Sequence, residues 1–199
     1  MRRRKILTAG RCGNAIVEFA LVISPLVLLL LGTVSVGLGL SRAIRVVSIC
    51  RSVGTLYARG VDFSVDANKD LVVRLASGLG LTRTGGNGVV ILSKVTWVSE
   101  GRCRALNLSP CNADRHVIVQ RFVIGNPALR ASSLGTPRDL DAQGVVRNYF
   151  QDASAVAYFP FMQLQDDQYA YVVEVYFPSP QFDFPGFRTG TGNYARAIF

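Results

Sequence analysis

One carboxylate and one glycine near the N-terminus have the residue types and the spacing for proteolytic processing. Gly13 lies five residues before Glu18, and Glu18 stands where a long apolar run begins. Glycine offers a protease an unhindered backbone. A cut after Gly13 would give Asn14 a free α-ammonium group four residues before Glu18, and positions i and i+4 share a helix face. The ammonium and the carboxylate would then compensate each other, within one chain or between adjacent chains.

The apolar run after Glu18 is long enough to cross a membrane. From Phe19 to Leu40 there are 22 residues without a charge. A helix of that length spans about 33 Å, the thickness of a bilayer core. The run is longer than the apolar region of a secretory signal, which has about 7–15 residues. A buried helix of a soluble protein is the alternative, but little else in the chain could surround it.

The net charge of +9 is concentrated at the N-terminus. Five cations precede the first acidic residue: Arg2, Arg3, Arg4, Lys5 and Arg11. Such a cluster is typical of a segment that stays in the cytoplasm, and we therefore do not expect a nucleic-acid partner. The C-terminal part is predicted to lie outside, although Arg42, Arg45 and Arg51 soon after the run weaken this bias.

The four cysteines divide into a close pair and two single residues. Cys103 and Cys111 bound the stretch CRALNLSPC, a predicted loop between two strand-like runs. In an oxidising compartment this spacing favours a disulfide, which would stabilise the fold by about 2–3 kcal/mol. Two free thiols in a reducing cytosol are the alternative. A zinc site is disfavoured because no second pair of ligands is present. The sequence assigns no role to Cys50.

The N-terminal segment resembles a known family. The stretch RCGNAIVEF, followed by an apolar helix, resembles a class III prepilin leader, with a glycine before the cut and a glutamate fifth in the mature chain. The longer string GNAIVEFALVISPLVLLLLG is similar to the start of TadE-like minor pilins of the Tad (Flp) pilus system. The match comprises VEFALV, then Pro25, the leucines 28–31 and Gly32. The resemblance covers residues 11–60 well and the rest only in architecture.

The resemblance implies a role in pilus assembly, for adhesion. Gly13 and Asn14 would flank the cut made by a prepilin peptidase, and Glu18 with Phe19 would serve assembly and register. The partners implied are this peptidase, other Tad pilins, the inner-membrane assembly proteins and the lipid bilayer. The protein would cross the inner membrane once, with its C-terminal domain in the periplasm. The alternative is an uncleaved, membrane-anchored envelope protein whose periplasmic domain binds another envelope component.

The helix is predicted to continue beyond the membrane. Between Ser41 and Arg59 an apolar stripe recurs at helical spacing, and we expect it to pack on a sheet. The stripe consists of Val46, Ile49, Cys50, Val53 and Tyr57. Pro25 predicts a mild kink within the span. Small residues at Gly32, Ser35, Gly37 and Gly39 either let another helix approach or are merely usual in spans.

The predicted architecture is α+β, with a leader (1–13), a transmembrane and extended helix (14–60) and a small periplasmic head (61–199). Strands are expected at 89–99, 116–125 and 169–177, with YARAIF as a last strand, in an antiparallel sheet. Residues 71–81 read as a short helix or strand. Residues 126–150 read as loop, with a short helix near 144–150. Phe182, Phe184 and Phe187 either close the sheet edge or form a contact patch.

No catalytic motif is recognisable, and neither an enzyme nor a cofactor is expected. The glycine-rich stretch TGGNGV is not followed by the Lys-Ser/Thr pair of a phosphate-binding loop. His116 is the only histidine, and without a nucleophile on a defined elbow it is predicted to face solvent or a tyrosine at a strand edge. Asp166 and Asp167 are predicted to form a solvated turn, because the series of ligands typical of a calcium loop is missing.

Overall fold

The computed structural model describes residues 12–178 and 192–199. The chain divides into two compact units, Met1–Ser41 and Arg42–Phe199, which we call the anchor unit and the head unit. Helix α1 (Cys12–Ala58) contributes residues to both. The basic cluster of the predicted leader and the three phenylalanines at 182, 184 and 187 lie outside the described residues, and the predictions about them stay predictions.

The anchor unit is formed by the first part of α1. The helix continues through Pro25, whose nitrogen cannot donate to the carbonyl of Leu21. Its large apolar side chains are exposed on all sides, Leu29 to 71% and Val36 to 73%. α1 is long and apolar enough to cross a membrane, with a mean hydropathy of 2.5 in its most apolar window. A helix that is apolar all round suits lipid, as the sequence predicts.

The head unit contains a four-stranded antiparallel sheet and short helices. The helices are α2 (Asp66–Leu75) and α3 (Glu100–Ala105), and the strands are β1 (Val89–Val98), β2 (Arg115–Gly125), β3 (Tyr169–Phe177) and β4 (Asn193–Ile198). The strand order is β2-β1-β3-β4, and all three pairings are antiparallel. The predicted α+β class is confirmed, and each predicted strand lies within one residue of its observed bounds.

One face of the sheet packs on the last part of α1. The core cluster contains the whole predicted stripe, from Val46 to Tyr57, together with Val90 and Leu92 of β1 and Val173 of β3. The ring of Tyr57 meets the ring of Tyr171 edge-on, with centroids 5.1 Å apart. The residues of α1 from 42 onward therefore belong to the head unit, and they supply the helix that packs on this face of its sheet. Gly60, at φ 85°, follows the end of this helix.

The opposite face of the sheet is covered by the long connection between β2 and β3. Val95, Ile118 and Val172 pack there against Leu134 and Phe159. The connection has no helix near 144–150, so that prediction is wrong. Instead, Val145 and Val146 form single bridges with Gln120 and Leu140. Of the two alternatives for residues 71–81, the helix is present up to Leu75, in α2, which begins earlier than predicted, at Asp66. A further difference is that α3 occupies the first part of the predicted cysteine loop.

Candidate functional site

The residues proposed for processing lie at the start of α1. Gly13 and Asn14 follow its first residue, Cys12, and Glu18 is one helical turn beyond Asn14. The helix therefore puts Asn14 and Glu18 at i and i+4, on one face. Both Glu18 and Phe19 are exposed, Phe19 to 66%. The Glu18 carboxylate makes no hydrogen bond or ion pair with any residue that the structure describes, so it is open to an ammonium group.

The glycines of the anchor unit have open space beside them. A Cβ added at Gly32, Gly37 or Gly39 would meet no atom within 4 Å. The hydroxyl of Thr33 donates to the carbonyl of Leu30 at 2.9 Å, within the helix. The polar side chain is thereby satisfied without a partner outside the helix, as an apolar surrounding requires. This surface can pack against lipid or a second helix.

The disulfide predicted between Cys103 and Cys111 is present. Their Cα atoms are 6.1 Å apart, and Cys103 is buried on α3. Ser99 caps α3 by accepting from the backbone of Arg102, and it also donates to Asp166. Because the disulfide is closed and packed against the sheet, the head unit suits an oxidising compartment.

Cys50, in contrast, is a free thiol in the core. It is 1% exposed, and its sulfur donates to the carbonyl of Val173 at 3.4 Å. Burial raises the pKa of Cys50 to about 11. A thiol with so high a pKa is protonated at neutral pH and is a poor nucleophile or metal ligand. Cys50 therefore contributes to the packing of α1 on the sheet.

Glu174 is a buried carboxylate that sequence reasoning missed. It is 3% exposed on β3 and accepts hydrogen bonds from the hydroxyls of Ser132, Ser133 and Tyr194 and from the backbone of Ser133. Burial alone would raise the pKa of Glu174, but the hydrogen bonds outweigh it and the pKa is lowered. An acidic residue within the apolar strand VVEVYF was the available signal, because a carboxylate on an apolar strand needs partners.

Arg121 is the second buried charge on this side of the sheet. Its guanidinium donates to the carbonyl of Gly135 at 3.0 Å, while Nε and Nη2 lack a partner within the described chain. Burial lowers the pKa of Arg121 to about 10, although Glu174 and Tyr57 oppose this shift. The arginine therefore remains charged at neutral pH, and it holds the turn at Gly135 over the sheet.

The environment of His116 differs from the prediction. The imidazole meets the rings of Trp97 and Phe159 edge-on, at centroid distances of 4.9 and 5.2 Å. It lies on the edge strand β2 and is partly exposed, and the ring neighbours described for it are not tyrosines, because the β2–β3 connection covers this end of the sheet. Burial lowers the pKa of His116. Among the residues described, no serine or cysteine donates a hydrogen bond to the imidazole, which packs against the rings of Trp97 and Phe159.

The two aspartates of the predicted solvated turn are structural. Asp166 accepts from the backbone and the hydroxyl of Ser99, and these bonds lower the pKa of Asp166, first through the hydroxyl of Ser99. Asp167, at φ 62°, forms an exposed ion pair with Arg102 at 3.4 Å. Within residues 12–178 and 192–199, no three His, Cys, Asp or Glu side chains come together as a metal site.

These observations define a class of protein: an α+β head on a helix that is long and apolar enough to anchor it in a membrane. Residues 13–52 match the family model described as TadE-like protein. The predicted resemblance is thus confirmed over the segment that begins at Gly13, and the chain is TadE-like there. No curated protein and no solved structure matches the chain.

Proposed function

We propose that this protein is a minor pilin of a Tad (Flp) pilus. In this role a prepilin peptidase cuts after Gly13, α1 remains in the inner membrane, and the head lies in the periplasm, where it takes part in pilus assembly for adhesion. The observation that carries the proposal is that the TadE-like match begins at Gly13 and includes Glu18. The role is structural and not enzymatic.

The anchor unit supports assembly through a helix. Its apolar side chains are exposed, and the carboxylate of Glu18 stands at the start of the run. A carboxylate in such a position needs a cation. The new ammonium group on Asn14 of the same chain or of a neighbouring chain would supply it. Pairing between chains would align one helix with the next, which is how this helix would set the register in a bundle.

The head unit supports a location outside the cytoplasm. The disulfide between Cys103 and Cys111 is closed, and disulfides persist in oxidising compartments such as the bacterial periplasm. The cluster of cations before Gly13 favours a cytoplasmic N-terminus. Both features agree with a single crossing of the inner membrane. The prepilin peptidase, the other Tad pilins and the inner-membrane assembly proteins are the partners that this arrangement requires.

A second candidate is an uncleaved anchor whose periplasmic head binds another envelope component. One observation favours it: α1 begins at Cys12, so the peptide bond between Gly13 and Asn14 lies in helical backbone. A protease needs an extended segment, and the first turn of the helix would have to unwind before a cut.

Expression of the full chain with a Tad prepilin peptidase separates the two candidates. The first predicts a mature N-terminus at Asn14, read by mass spectrometry of the intact protein. The matched control is the same chain expressed with a catalytically inactive peptidase, which should leave Met1 in place. An intact leader with the active enzyme would contradict processing. Failure of the mature chain to co-purify with other Tad pilins would contradict the minor-pilin role.

A further inference from the structure

The head unit has a small pocket beside Arg42, the first residue of α1 in this unit. Its volume is about 270 Å³. It is lined by Arg42, Val46, Leu79, Asn87, Phe177, Pro178 and Asn193. Pockets for drug-sized ligands have about 300–1,000 Å³. This pocket is smaller, so it suits a compact group such as a phosphate with a few attached atoms.

The polar side chains of the pocket have free hydrogen-bonding capacity. Arg42 forms no side-chain hydrogen bond or ion pair with the part of the chain that is described, and the same holds for the side-chain amides of Asn87 and Asn193. The backbone of Asn87 is fixed, because its N–H donates to the carbonyl of Gly80 at 2.8 Å. The pocket thus has one guanidinium and two amides available as donors, between apolar walls.

A second guanidinium lies close to Gly78, next to the pocket in sequence. Nη1 of Arg45 is 3.9 Å from the position that a Cβ would take at Gly78, and Gly78 precedes the pocket residue Leu79. Arg45 also has no acidic partner among the residues described. Two neighbouring guanidiniums without carboxylates create a positive potential, and they favour an anionic ligand. Arginine in particular binds phosphate with two parallel hydrogen bonds.

The position of Arg42 in the chain indicates where such an anion comes from. Arg42 follows the uncharged run by two residues, since Leu40 ends the predicted span. Two residues of helix rise by about 3 Å. The headgroup layer adds several ångströms on each side of the hydrocarbon core, about 30 Å within a total of about 40–45 Å. A side chain at this place is therefore at the depth of the lipid phosphates.

We propose that this pocket binds the headgroup of an anionic phospholipid, with its phosphate on Arg42 and Asn87 and with Arg45 nearby. Leu79 and Pro178, the partly exposed apolar residues of the lining, would contact the glycerol part. The proposal goes beyond the pilus role, because it requires only that α1 crosses a membrane, in either orientation. Lipid binding would fix the height of the head unit above the bilayer.

The test uses the full chain in phosphatidylcholine nanodiscs with or without phosphatidylglycerol. Retained lipid is counted by native mass spectrometry, and the midpoint of thermal unfolding is recorded. We expect phosphatidylglycerol to be retained and to raise the midpoint. In Arg42→Gln the affinity should fall about tenfold or more, as expected for the loss of charge-assisted hydrogen bonds. Asn87→Ala should reduce it without a change in charge.

Arg51→Gln is the matched control, because Arg51 is an exposed arginine on the same helix, nine residues beyond Arg42. This variant should bind phosphatidylglycerol like the unmodified protein. Equal losses in the two arginine variants would show mere charge attraction and overturn the proposal. Equal retention of phosphatidylcholine would also overturn it. Competition by soluble glycerol phosphate at concentrations matching the lipid would mean that a free anion, and not a membrane lipid, is the ligand.

Discussion

The hydroxyl of Tyr194 donates a hydrogen bond of 2.7 Å to the carboxylate of Glu174, a side chain that is 3% exposed. The two residues lie on neighbouring strands, β4 and β3. Ser132 and Ser133 approach the same carboxylate from the β2–β3 connection. One buried anion thus joins the edge of the sheet to the segment that covers it. The first prediction follows from this arrangement.

Replacing Glu174 by glutamine should destabilise the head unit by about 2–4 kcal/mol. The amide of glutamine would place an N–H donor where the hydroxyls of Ser132, Ser133 and Tyr194 also donate. A buried donor without an acceptor destabilises the folded state, because the hydrogen bonds it made with water are not replaced. The measurement is denaturant unfolding of the full chain in detergent micelles. Glu100→Gln is the control, because Glu100 is an exposed partner of Arg104 and should cost less than about 0.5 kcal/mol. Equal effects of the two substitutions would contradict the role given to Glu174.

His116 should make stability depend on pH below neutrality. Burial lowers the pKa of His116 from its usual 6.5. Above pH 6.5 the imidazole is neutral in both the folded and the unfolded chain. As the pH falls below 6.5 the unfolded chain binds a proton first, so stability declines until the pH reaches the folded pKa. His116→Phe should weaken the dependence of the unfolding midpoint on pH between pH 5 and 7. If the midpoint of this variant changes with pH as steeply as that of the unmodified protein, the role given to His116 is wrong.

Glu174 should act in a lower pH window. Its folded pKa lies below the usual 4.5, so its contribution is complete above pH 4.5 and is lost as the pH falls through the folded value. The decline in stability below pH 4.5, measured as the unfolding midpoint, should disappear in Glu174→Gln and persist in His116→Phe.

The number of free thiols should report both the disulfide and the processing step. Without reductant, the unfolded mature chain from Asn14 should show one reactive thiol, Cys50, and the uncleaved chain should show two, because Cys12 remains. In the native state Cys50 should react slowly, since it is buried and its pKa is about 11. Quantitative thiol labelling followed by mass spectrometry makes the count. Two further thiols would show that Cys103 and Cys111 are reduced.

Gly86 should be far less tolerant of alanine than its neighbour Gly85. Gly86 has φ 86°, and a Cβ there would overlap the carbonyl oxygen of Gly80. At Gly85 the nearest atom would be the hydroxyl of Thr82 at 3.5 Å, an ordinary contact. We expect Gly86→Ala to cost about 1–3 kcal/mol and Gly85→Ala to be nearly neutral. A similar unfolding midpoint for both variants would refute this account of the turn.

Glu18→Gln should impair assembly more than folding. The glutamine keeps the size of the side chain but cannot neutralise the ammonium of Asn14. We expect the variant to be processed and to have an unchanged unfolding midpoint, while co-purification with other Tad pilins falls at least several-fold. Glu18→Asp, which keeps the charge, should retain part of the interaction. Normal recruitment by the glutamine variant would contradict the proposed pairing.

The elements that follow a local pattern could be predicted from the sequence. Val173 and Val175 alternate with other side chains along β3, and the stripe from Val46 to Tyr57 has helical spacing, so strands and helix were found close to their observed bounds. The pattern around Glu18 could also be recognised, because it consists of an uncharged run and a glycine that are close together in the sequence.

The features that were missed depend on residues far apart in the chain. The covering of the second sheet face required contacts between Phe159 and His116, which no periodicity indicates. The partners of Glu174 come from residues 132, 133 and 194. The predicted helix near 144–150 is wrong because Val145 forms a bridge with Gln120 and the N–H of Val146 donates to the carbonyl of Val119. Tertiary contacts overrode a weak local preference in that segment.

The shared use of α1 by both units sets the boundary of any fragment designed for secretion and crystallisation. A fragment that starts at residue 61 would lack Val46, Ile49, Cys50, Val53 and Tyr57, and would leave one side of its sheet in water. Such a fragment should aggregate on expression. A fragment that starts at Arg42 retains these side chains and omits the exposed apolar run, so we expect that its purification does not require detergent.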